Sequence, residues 1–223
     1  IPPVVRMSAR SDQTQSQCKA ACGLDASRPT LMVTGGSLGA GSLNSFVLAF
    51  VEANGSLLRD GQWQILHQTG AASKDASEAD RWTDRLESAY RAAGIRAVVT
   101  EYCQTMGQWW SAADLAISRA GAGAVAEAWA SNTPSLFMPY PYHKDQHQRA
   151  NAAVLVNTGG AVCLDDQIAP QANLSSIAPQ LIKLMSDSVL RQSMRDRLAA
   201  LGPVDGAASI ARSVTEFDRD SKR

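Results

Sequence analysis

Asp114-Leu-Ala-Ile-Ser-Arg-Ala-Gly-Ala-Gly-Ala-Val-Ala-Glu127 and Ser135-Leu-Phe-Met-Pro-Tyr-Pro-Tyr-His-Lys-Asp-Gln-His-Gln-Arg-Ala-Asn151 are the two stretches that decide the fold of this chain. In each, a short apolar run leads through a loop of small or polar residues into a helical pattern. The free N–H groups at the start of such a helix, together with the helix dipole, favour an anion. Strand, turn and helix in this order predict an α/β protein with a ligand site at the strand ends.

The same alternation runs outward through the chain, after a polar lead from Ser8 to Cys22. Strands are predicted at Thr30–Thr34, Trp63–His67, Ala97–Thr100, Leu115–Ser118, Ser135–Met138 and Ala161–Leu164. Helices are predicted at Leu38–Ala53, Ser77–Ala93, Thr105–Ala112, Gly123–Ser131 and Asp145–Asn157, with a helical region from Gln171 onward. Strands joined by helical crossovers predict a doubly wound, Rossmann-like parallel sheet with helices on both faces.

Length and composition narrow the class of protein. A chain of 223 residues is long enough for one large domain with terminal extensions. Its 21 Lys and Arg balance 21 Asp and Glu, so whole-chain charge does not indicate nucleic acid or an anionic membrane as a partner. Scattered cysteines without a CxxC pair favour reduced thiols in a cytoplasm, and no apolar run approaches the ~20 residues that span a bilayer. The start at Ile1 without a methionine suggests a piece of a longer protein.

The first glycine-rich loop is Thr34-Gly-Gly-Ser-Leu-Gly-Ala-Gly41. Its glycines allow a phosphate to approach the backbone, and Ser37 adds a hydroxyl donor. A P-loop is excluded because it requires a lysine, and none lies between Lys19 and Lys74. Two alternatives stay open: a nucleophile elbow of an α/β-hydrolase, in which Ser37 is the nucleophile, and a tight turn with no ligand.

The second glycine-rich loop, Gly121-Ala-Gly-Ala-Val-Ala126, formally matches a dinucleotide fingerprint. A nicotinamide site would require an acid after the next strand, whereas that strand runs into Met138 and Pro139. The acid present is Glu127, inside the helix, where it is within reach of a ribose beside a diphosphate at the helix start. The alternative is a surface glutamate favoured by the helix dipole. Arg119, just before the loop, suits phosphate pairing or orientation of the turn.

The helix predicted from Asp145 carries amides rather than the usual Lys and Glu. Gln148 and Asn151 lie on one side with Lys144, and His147 is adjacent. Each amide offers a donor and an acceptor, which suits the reading of sugar hydroxyls. His143 and His147 stand at the spacing of a metal pair, but a glutamate and a third ligand are missing, so we expect no metal.

Three stretches together resemble the C-terminal half of the MurG family: GGSLGAGSLN from Gly35, WQILHQTG from Trp63, and SRAGAGAVAEAWASNTPSLFMPYPYHKDQHQRANA from Ser118. Members of that family are UDP-N-acetylglucosamine transferases that convert lipid I to lipid II in bacterial peptidoglycan synthesis. The resemblance implies the C-terminal domain of a two-domain GT-B glycosyltransferase. Residues 1–29 would be a linker and lead-in segment and 30–223 the nucleotide-sugar domain, while the N-terminal acceptor domain is absent from this chain.

The resemblance also implies roles for individual residues in binding UDP-N-acetylglucosamine. The donor-site residues implied are Ser37 for the diphosphate, Glu127 for the ribose, the backbone around Cys103 for the uracil, Ala122 N–H near the sugar, His147, Gln148 and Asn151 for the N-acetylglucosamine, and Arg6 from the interdomain linker. In physical terms, Arg119 and the loop at Gly121 would stabilise negative charge that develops on the diphosphate. Ala124 and Ala126 depart from the family's usual hydroxyl residues, which removes possible polar contacts.

The implied chemistry is inverting transfer without metal or cofactor, and the general base would belong to the absent half. Lipid I and the inner face of the cell membrane would be contacted only through that half, which makes the full enzyme cytoplasmic and peripheral. We expect the isolated half to bind the donor and to turn over little or nothing. A non-catalytic nucleotide-sugar-binding subunit of a split glycosyltransferase remains the alternative.

Overall fold

Six parallel strands form the centre of the protein in a computed structural model that describes residues 3–36, 40–71, 81–142, 146–211 and 214. The strands are β1 Thr30–Thr34, β2 Gln64–Gln68, β3 Ala97–Thr100, β4 Leu115–Ser118, β5 Ser135–Phe137 and β6 Ala161–Cys163. Their order across the sheet is β3-β2-β1-β4-β5-β6, and every neighbouring pair is parallel. The predicted doubly wound sheet is therefore confirmed, with each strand within one residue of its predicted bounds.

The chain direction across the sheet reverses between β1 and β4. From β1 the chain moves outward to β2 and β3, and it then returns to add β4, β5 and β6 on the other side. The loops that follow β1 and β4 therefore diverge and leave a crevice at the carboxyl edge of the sheet, where ligands of such folds bind. Both glycine-rich loops of the sequence follow these two strands.

Helices cover both faces of the sheet. Their bounds are α1 Gln15–Ala21, α2 Gly41–Asp60, α3 Trp82–Ala92, α4 Met106–Ala112, α5 Ala122–Ala130, α6 His147–Asn157, α7 Pro170–Ser176, α8 Ala178–Ser186 and α9 Ser188–Ala200. Helix α2 runs beyond the predicted end at Ala53, with non-helical backbone angles at Asn54. Three predicted helix starts, Leu38, Ser77 and Asp145, lie outside the described residues.

Successive residues of each strand point to opposite faces of the sheet and pack into two apolar layers. Leu31 and Val33 of β1 pack into one cluster with α2, α3 and α8, whereas Met32 points into the other with α4, α5 and α6. Strands buried on both faces require such continuous apolar runs. A rigid sheet between two packed layers fixes the positions of the loops at its carboxyl edge.

The segment from 3 to 29, here termed the lead segment, contains structure that the sequence analysis did not predict. Helix α1 begins with a capping box, in which the Thr14 hydroxyl accepts from the Gln17 N–H and the Gln17 side chain accepts from the Thr14 N–H. Cys18 is fully buried, and the Lys19 ammonium lies 2.7 Å from the Asp114 carboxylate. The lead segment thus packs on the sheet domain, while its boundary at residue 29 stays a prediction.

Candidate functional site

A cavity of about 900 Å³ lies at the carboxyl edge of the sheet, over the crevice between β1 and β4. We term it the edge cavity. Its walls come from the ends of β1, β2 and β4, from the first turns of α2 and α5, and from the lead segment. Six of the predicted site residues line it: Arg6, Cys103, Arg119, Gly121, Glu127 and Gln148.

Two helix N-termini converge on the edge cavity. Helix α2 starts after Ala40 and helix α5 after Gly121, and within the described residues neither start has a side-chain cap. The first helical hydrogen bonds are donated by the N–H groups of Asn44 and Val125. The N–H groups that precede them in each helix have no partner among the described residues and can donate to a ligand, and both helix dipoles favour a negative charge there.

Glu127 is held at the wall of the edge cavity by a tryptophan. The indole Nε1–H of Trp110, a fully buried residue of α4, donates to Glu127 Oε2 over 2.8 Å. Burial raises the pKa of the Glu127 carboxyl, against the opposing effects of the Trp110 hydrogen bond and the charge of Arg6. Oε1 has no hydrogen-bond partner among the described residues, so the carboxylate is oriented with one oxygen available to a ligand.

Arg119 is occupied by internal contacts. Its Nη1 donates to the carbonyls of Met138 and Pro139 over 2.8 and 3.2 Å, and its Nη2 lies 2.7 Å from both Ser42 Oγ and Asp166 Oδ2. Only 8% of its side chain is exposed, and none of the side chain of Asp166. Of the two predicted roles, phosphate pairing and orientation of the turn, these contacts favour orientation.

Asp166, after β6, forms a hydrogen-bonded cluster with Arg119 and Ser42, which we term the bracket. Oδ2 accepts from the Ser42 hydroxyl over 2.6 Å, while Oδ1 accepts from the Ile168 N–H and from Asn173 Nδ2, each over 2.8 Å. Burial opposes ionisation of this carboxyl, but the hydrogen bonds from Ser42, Asn173, Ile168 and Arg119 outweigh it and hold the pKa below its ordinary value. The loops after β1, β4, β5 and β6 are thereby tied together beneath the edge cavity.

The amides of α6 divide between two tasks. Gln148 lines the edge cavity, and its Oε1 accepts from the Tyr140 N–H over 2.9 Å. Its Nε2 has no hydrogen-bond partner among the described residues and is available to a ligand. Asn151 instead donates from Nδ2 to the Ala120 carbonyl over 3.2 Å, which fixes the loop before α5. His147 is the exposed first residue of α6, and neither it nor Asn151 lines the edge cavity.

Three other predicted positions complete the comparison. Cys103 is buried at the cavity wall after β3, and burial raises the pKa of its thiol. Ala122 is the exposed first residue of α5, so its N–H belongs to the free group at that helix start. Ser37 lies outside the described residues, although Gly36 and Ala40 on either side of it line the edge cavity.

Residues 30–209 match the glycosyltransferase family 28 C-terminal domain. The chain belongs to this family. The chain is 35% identical over 92% of its length to a UDP-N-acetylglucosamine–N-acetylmuramyl-(pentapeptide) pyrophosphoryl-undecaprenol N-acetylglucosamine transferase of Clavibacter sepedonicus. It is 37% identical over 85% of its length to the protein of the same name from Alkalilimnicola ehrlichii. The chain spans about half the length of these relatives, 50% and 49%.

Solved structures confirm the fold of the family 28 domain. The crystal structure of Acinetobacter baumannii MurG superimposes with a TM-score of 0.67 at 22% identity, over 94% of this chain and 56% of that one. WaaG, a glycosyltransferase involved in lipopolysaccharide biosynthesis, superimposes with a TM-score of 0.59 at 13% identity, over 94% of this chain and 55% of that one. The predicted C-terminal domain of a GT-B glycosyltransferase and the resemblance to MurG are thus confirmed.

Several residues of the family 28 domain that build the site were missed by sequence reasoning. They are Ser42 and Asp166 in the bracket, and Gln68, Tyr102, Tyr140 and Ile168 in the cavity wall. Asp165 and Asp166 do follow the strand β6, and polar residues after a strand are a usable signal at this edge. Their ion-pair partners, Arg149 for Asp165 and Arg119 for Asp166, are identified only by the three-dimensional structure.

No helix in the described ranges has the length and apolar character that crossing a lipid bilayer requires.

Proposed function

We propose that this chain is the donor-binding half of an inverting glycosyltransferase. The full enzyme transfers N-acetylglucosamine from UDP-N-acetylglucosamine to the lipid-linked muramyl-pentapeptide, lipid I, and gives lipid II for peptidoglycan. The observation that carries the proposal is the convergence of two uncapped helix starts, the Glu127 carboxylate and the Gln148 amide on one cavity. The names of the curated relatives support both the donor and the lipid-linked acceptor.

The order of the strands gives the donor a direction in the edge cavity. Cys103 follows β3 at one end of the sheet, the two helix starts follow β1 and β4 at its centre, and Gln148 lies after β5. A uridine at the β3 end, a diphosphate at the centre and a sugar at the β5 end match this sequence of groups. Glu127 lies in α5 and is held by Trp110 of α4, the helix that follows β3, so its free oxygen accepts from the ribose hydroxyls between the uridine end and the diphosphate.

The chemistry follows from the same arrangement. When the acceptor hydroxyl attacks the anomeric carbon, the bond to the diphosphate breaks and negative charge develops on the leaving UDP. The N–H groups of α2 and α5 are fixed in place before this charge appears, so they stabilise it without reorganising. Arg119 and Asp166 hold those helix starts at the correct separation. The general base belongs to the other half of the enzyme, which also binds lipid I and the inner membrane face; this chain by itself is cytoplasmic.

For three further residues of the predicted donor site we propose the roles that the resemblance implies. Ser37 contacts the diphosphate, His147 approaches the sugar next to Gln148, and Arg6 brings a cation from the lead segment to the cavity. Asn151 acts by fixing the Ala120 carbonyl, and so the loop at Gly121, rather than by contact with the sugar.

Titration calorimetry tests the donor. We expect the chain to bind UDP-N-acetylglucosamine more tightly than UDP-glucose and not to bind NAD. Glu127→Ala removes a charged hydrogen-bond acceptor of the ribose, so it should weaken binding by about 10- to 100-fold. Glu52→Ala, on the exposed side of α2, is the matched control. Binding of NAD instead of UDP-sugars, or an unchanged affinity in Glu127→Ala, would contradict the proposal.

Turnover tests the division of labour. The chain alone should transfer no sugar to lipid I, and addition of an N-terminal half from a curated relative should restore transfer. Ester hydrolysis by the chain alone, abolished by Ser37→Ala, would instead support the hydrolase alternative.

A further inference from the structure

Ile168, in the turn between β6 and α7, has an unusual backbone conformation. Its φ is +65°, in the left-handed region, which a β-branched residue rarely adopts. A non-glycine residue held there is strained, and such residues cluster at ligand sites. A glycine or asparagine would adopt this backbone with less strain.

The surrounding turn is held firmly enough to maintain this conformation. The Ile168 N–H donates to Asp166 Oδ1, which also accepts from Asn173 Nδ2. The Gln167 N–H donates to Asn173 Oδ1 over 2.8 Å. Asp166 and Asn173 are both buried. The conformation of the turn is therefore set by these side chains and not by the packing of Ile168.

The Ile168 side chain is not packed in the core, so burial does not offset the backbone strain. It remains 40% exposed, and it lines the edge cavity. Asp166, two residues earlier, contacts Ser42 at the start of α2, and together with Gln148 it also borders the space beside the turn after β5. Ile168 consequently presents an apolar surface to the end of the cavity that lies beyond the diphosphate site.

We propose that Ile168 is a specificity-determining residue that packs against the apolar C–H face of the transferred pyranose. The inference rests on the proposed function, because the donor must bind with its sugar at the β5 and β6 end of the sheet. A pyranose combines hydroxyls, which Gln148 reads, with C–H groups, which require an apolar contact. Ile168 supplies that contact from the adjacent loop, and its strained backbone directs the side chain into the cavity.

Calorimetry with UDP-N-acetylglucosamine and with UDP alone separates the sugar from the nucleotide. Ile168→Gly should weaken binding of UDP-N-acetylglucosamine about fivefold, the effect of losing roughly 40 Å² of apolar contact, and leave UDP affinity unchanged. Its melting temperature should stay equal or rise, because glycine relieves the strain. Ile168→Leu, which keeps an apolar side chain, should recover most of the sugar-dependent affinity.

Gln62→Gly is the matched control, since Gln62 also has a positive φ of 55° and lies away from the edge cavity. It should change neither affinity. The inference is overturned if Ile168→Gly weakens UDP and UDP-N-acetylglucosamine equally, or weakens neither while the native chain binds both. Failure of the native chain to bind UDP at all would overturn the proposed function itself.

Discussion

Glu127 shows how a single side chain acquires a role from its surroundings. As a surface glutamate near a helix start it would need no partner, yet Trp110 fixes one of its oxygens and leaves the other at the edge cavity. Burial raises the pKa of the carboxyl, so the native state protonates it at a higher pH than an unfolded chain does. The ionised form is thus less stable in the fold than in water, which is typical of a residue kept for binding.

Donor affinity should therefore fall as the pH is lowered through this raised pKa, since a protonated carboxyl loses acceptor capacity for the ribose hydroxyls. Glu127→Gln keeps an oxygen for the Trp110 N–H and should show weaker affinity that does not change over the same pH range. Its melting temperature at neutral pH should equal or exceed that of the native chain, because the cost of a half-buried charge is gone. Calorimetry from neutral to acidic pH measures the first effect. A parallel pH profile in native chain and variant would contradict it.

The predicted site residues that the structure brings to the edge cavity are those whose positions follow from local rules. Glu127 and Gln148 each lie in the helix after a strand end, and strand ends were predictable from the apolar runs. Asn151 shares the helical face of Gln148, so the helical spacing predicted the same role for both residues, contact with the sugar. The structure separates them because the carbonyl of Ala120 approaches Asn151 from another loop. Contacts between loops depend on the packing of the sheet and are not encoded in helical spacing.

At the scale of elements, the Arg119–Asp166 pair is the clearest link between loops that are distant in sequence. Removal of one partner leaves a buried charge without compensation, which costs about 3–5 kcal/mol. We expect Asp166→Ala to lower the free energy of unfolding by this amount and to weaken UDP binding, as Ser42 and Arg119 lose their common acceptor. Asp165→Ala is the control, since Asp165 is exposed and pairs with Arg149 at the surface. Urea unfolding measures the stability of both variants. An equal loss of unfolding free energy in Asp166→Ala and Asp165→Ala would contradict a structural role of the bracket.

His67 provides a second link, between β2 and helices α2 and α3. Because Asn44 Oδ1 can only accept, His67 Nε2 is the protonated ring nitrogen and donates to it over 3.1 Å. His67 Nδ1 accepts from the Tyr90 hydroxyl over 2.8 Å. The Asn44 Nδ2 group donates to the Thr69 carbonyl over 3.0 Å. The network therefore contains a neutral imidazole, and burial lowers the pKa of His67 to about 3. It positions Asn44, one turn inside the α2 start that faces the edge cavity.

This network makes stability depend on pH. The unfolded chain protonates His67 near its ordinary pKa of 6.5, whereas the native state resists protonation down to about 3. The unfolded state thus binds more protons in this window, and stability falls as the pH drops below 6.5, by about 1.4 kcal/mol per pH unit. His67→Gln should remove this slope, and His147→Gln, at an exposed position, should keep it. Urea unfolding at about pH 6 and about pH 5, a range in which few carboxylates titrate, measures the slope in both variants. A slope in His67→Gln equal to that of the native chain would count against the role of His67.

At the scale of the whole molecule, the lead segment is joined to the sheet domain at one point of unusually close approach. Gly107 of α4 lies under the turn at Met7–Ala9, and a Cβ there would lie 2.5 Å from the Arg10 carbonyl oxygen and 2.6 Å from its amide nitrogen. These are backbone atoms that cannot rotate away. Arg10 also donates to the Val204 carbonyl, near the other end of the chain. The sequence contained no sign of this contact, because a glycine inside a helix does not reveal what approaches it.

Gly107→Ala should consequently displace the turn that carries Arg6 to the edge cavity, even though alanine is the better helix former. Overpacking of this kind costs about 1–3 kcal/mol, so the melting temperature should fall, and UDP affinity should fall with it if Arg6 contributes at the cavity. Gly55→Ala is the control: its Cβ would meet Ala93, with the Cβ at 3.2 Å and the Cα at 4.0 Å, and no residue of the lead segment within 4 Å. Combining Gly107→Ala with Arg6→Ala gives the decisive comparison. The double variant should bind UDP no more weakly than Arg6→Ala alone, since the glycine acts through that arginine; additive losses would show that the lead segment shapes the cavity by another route.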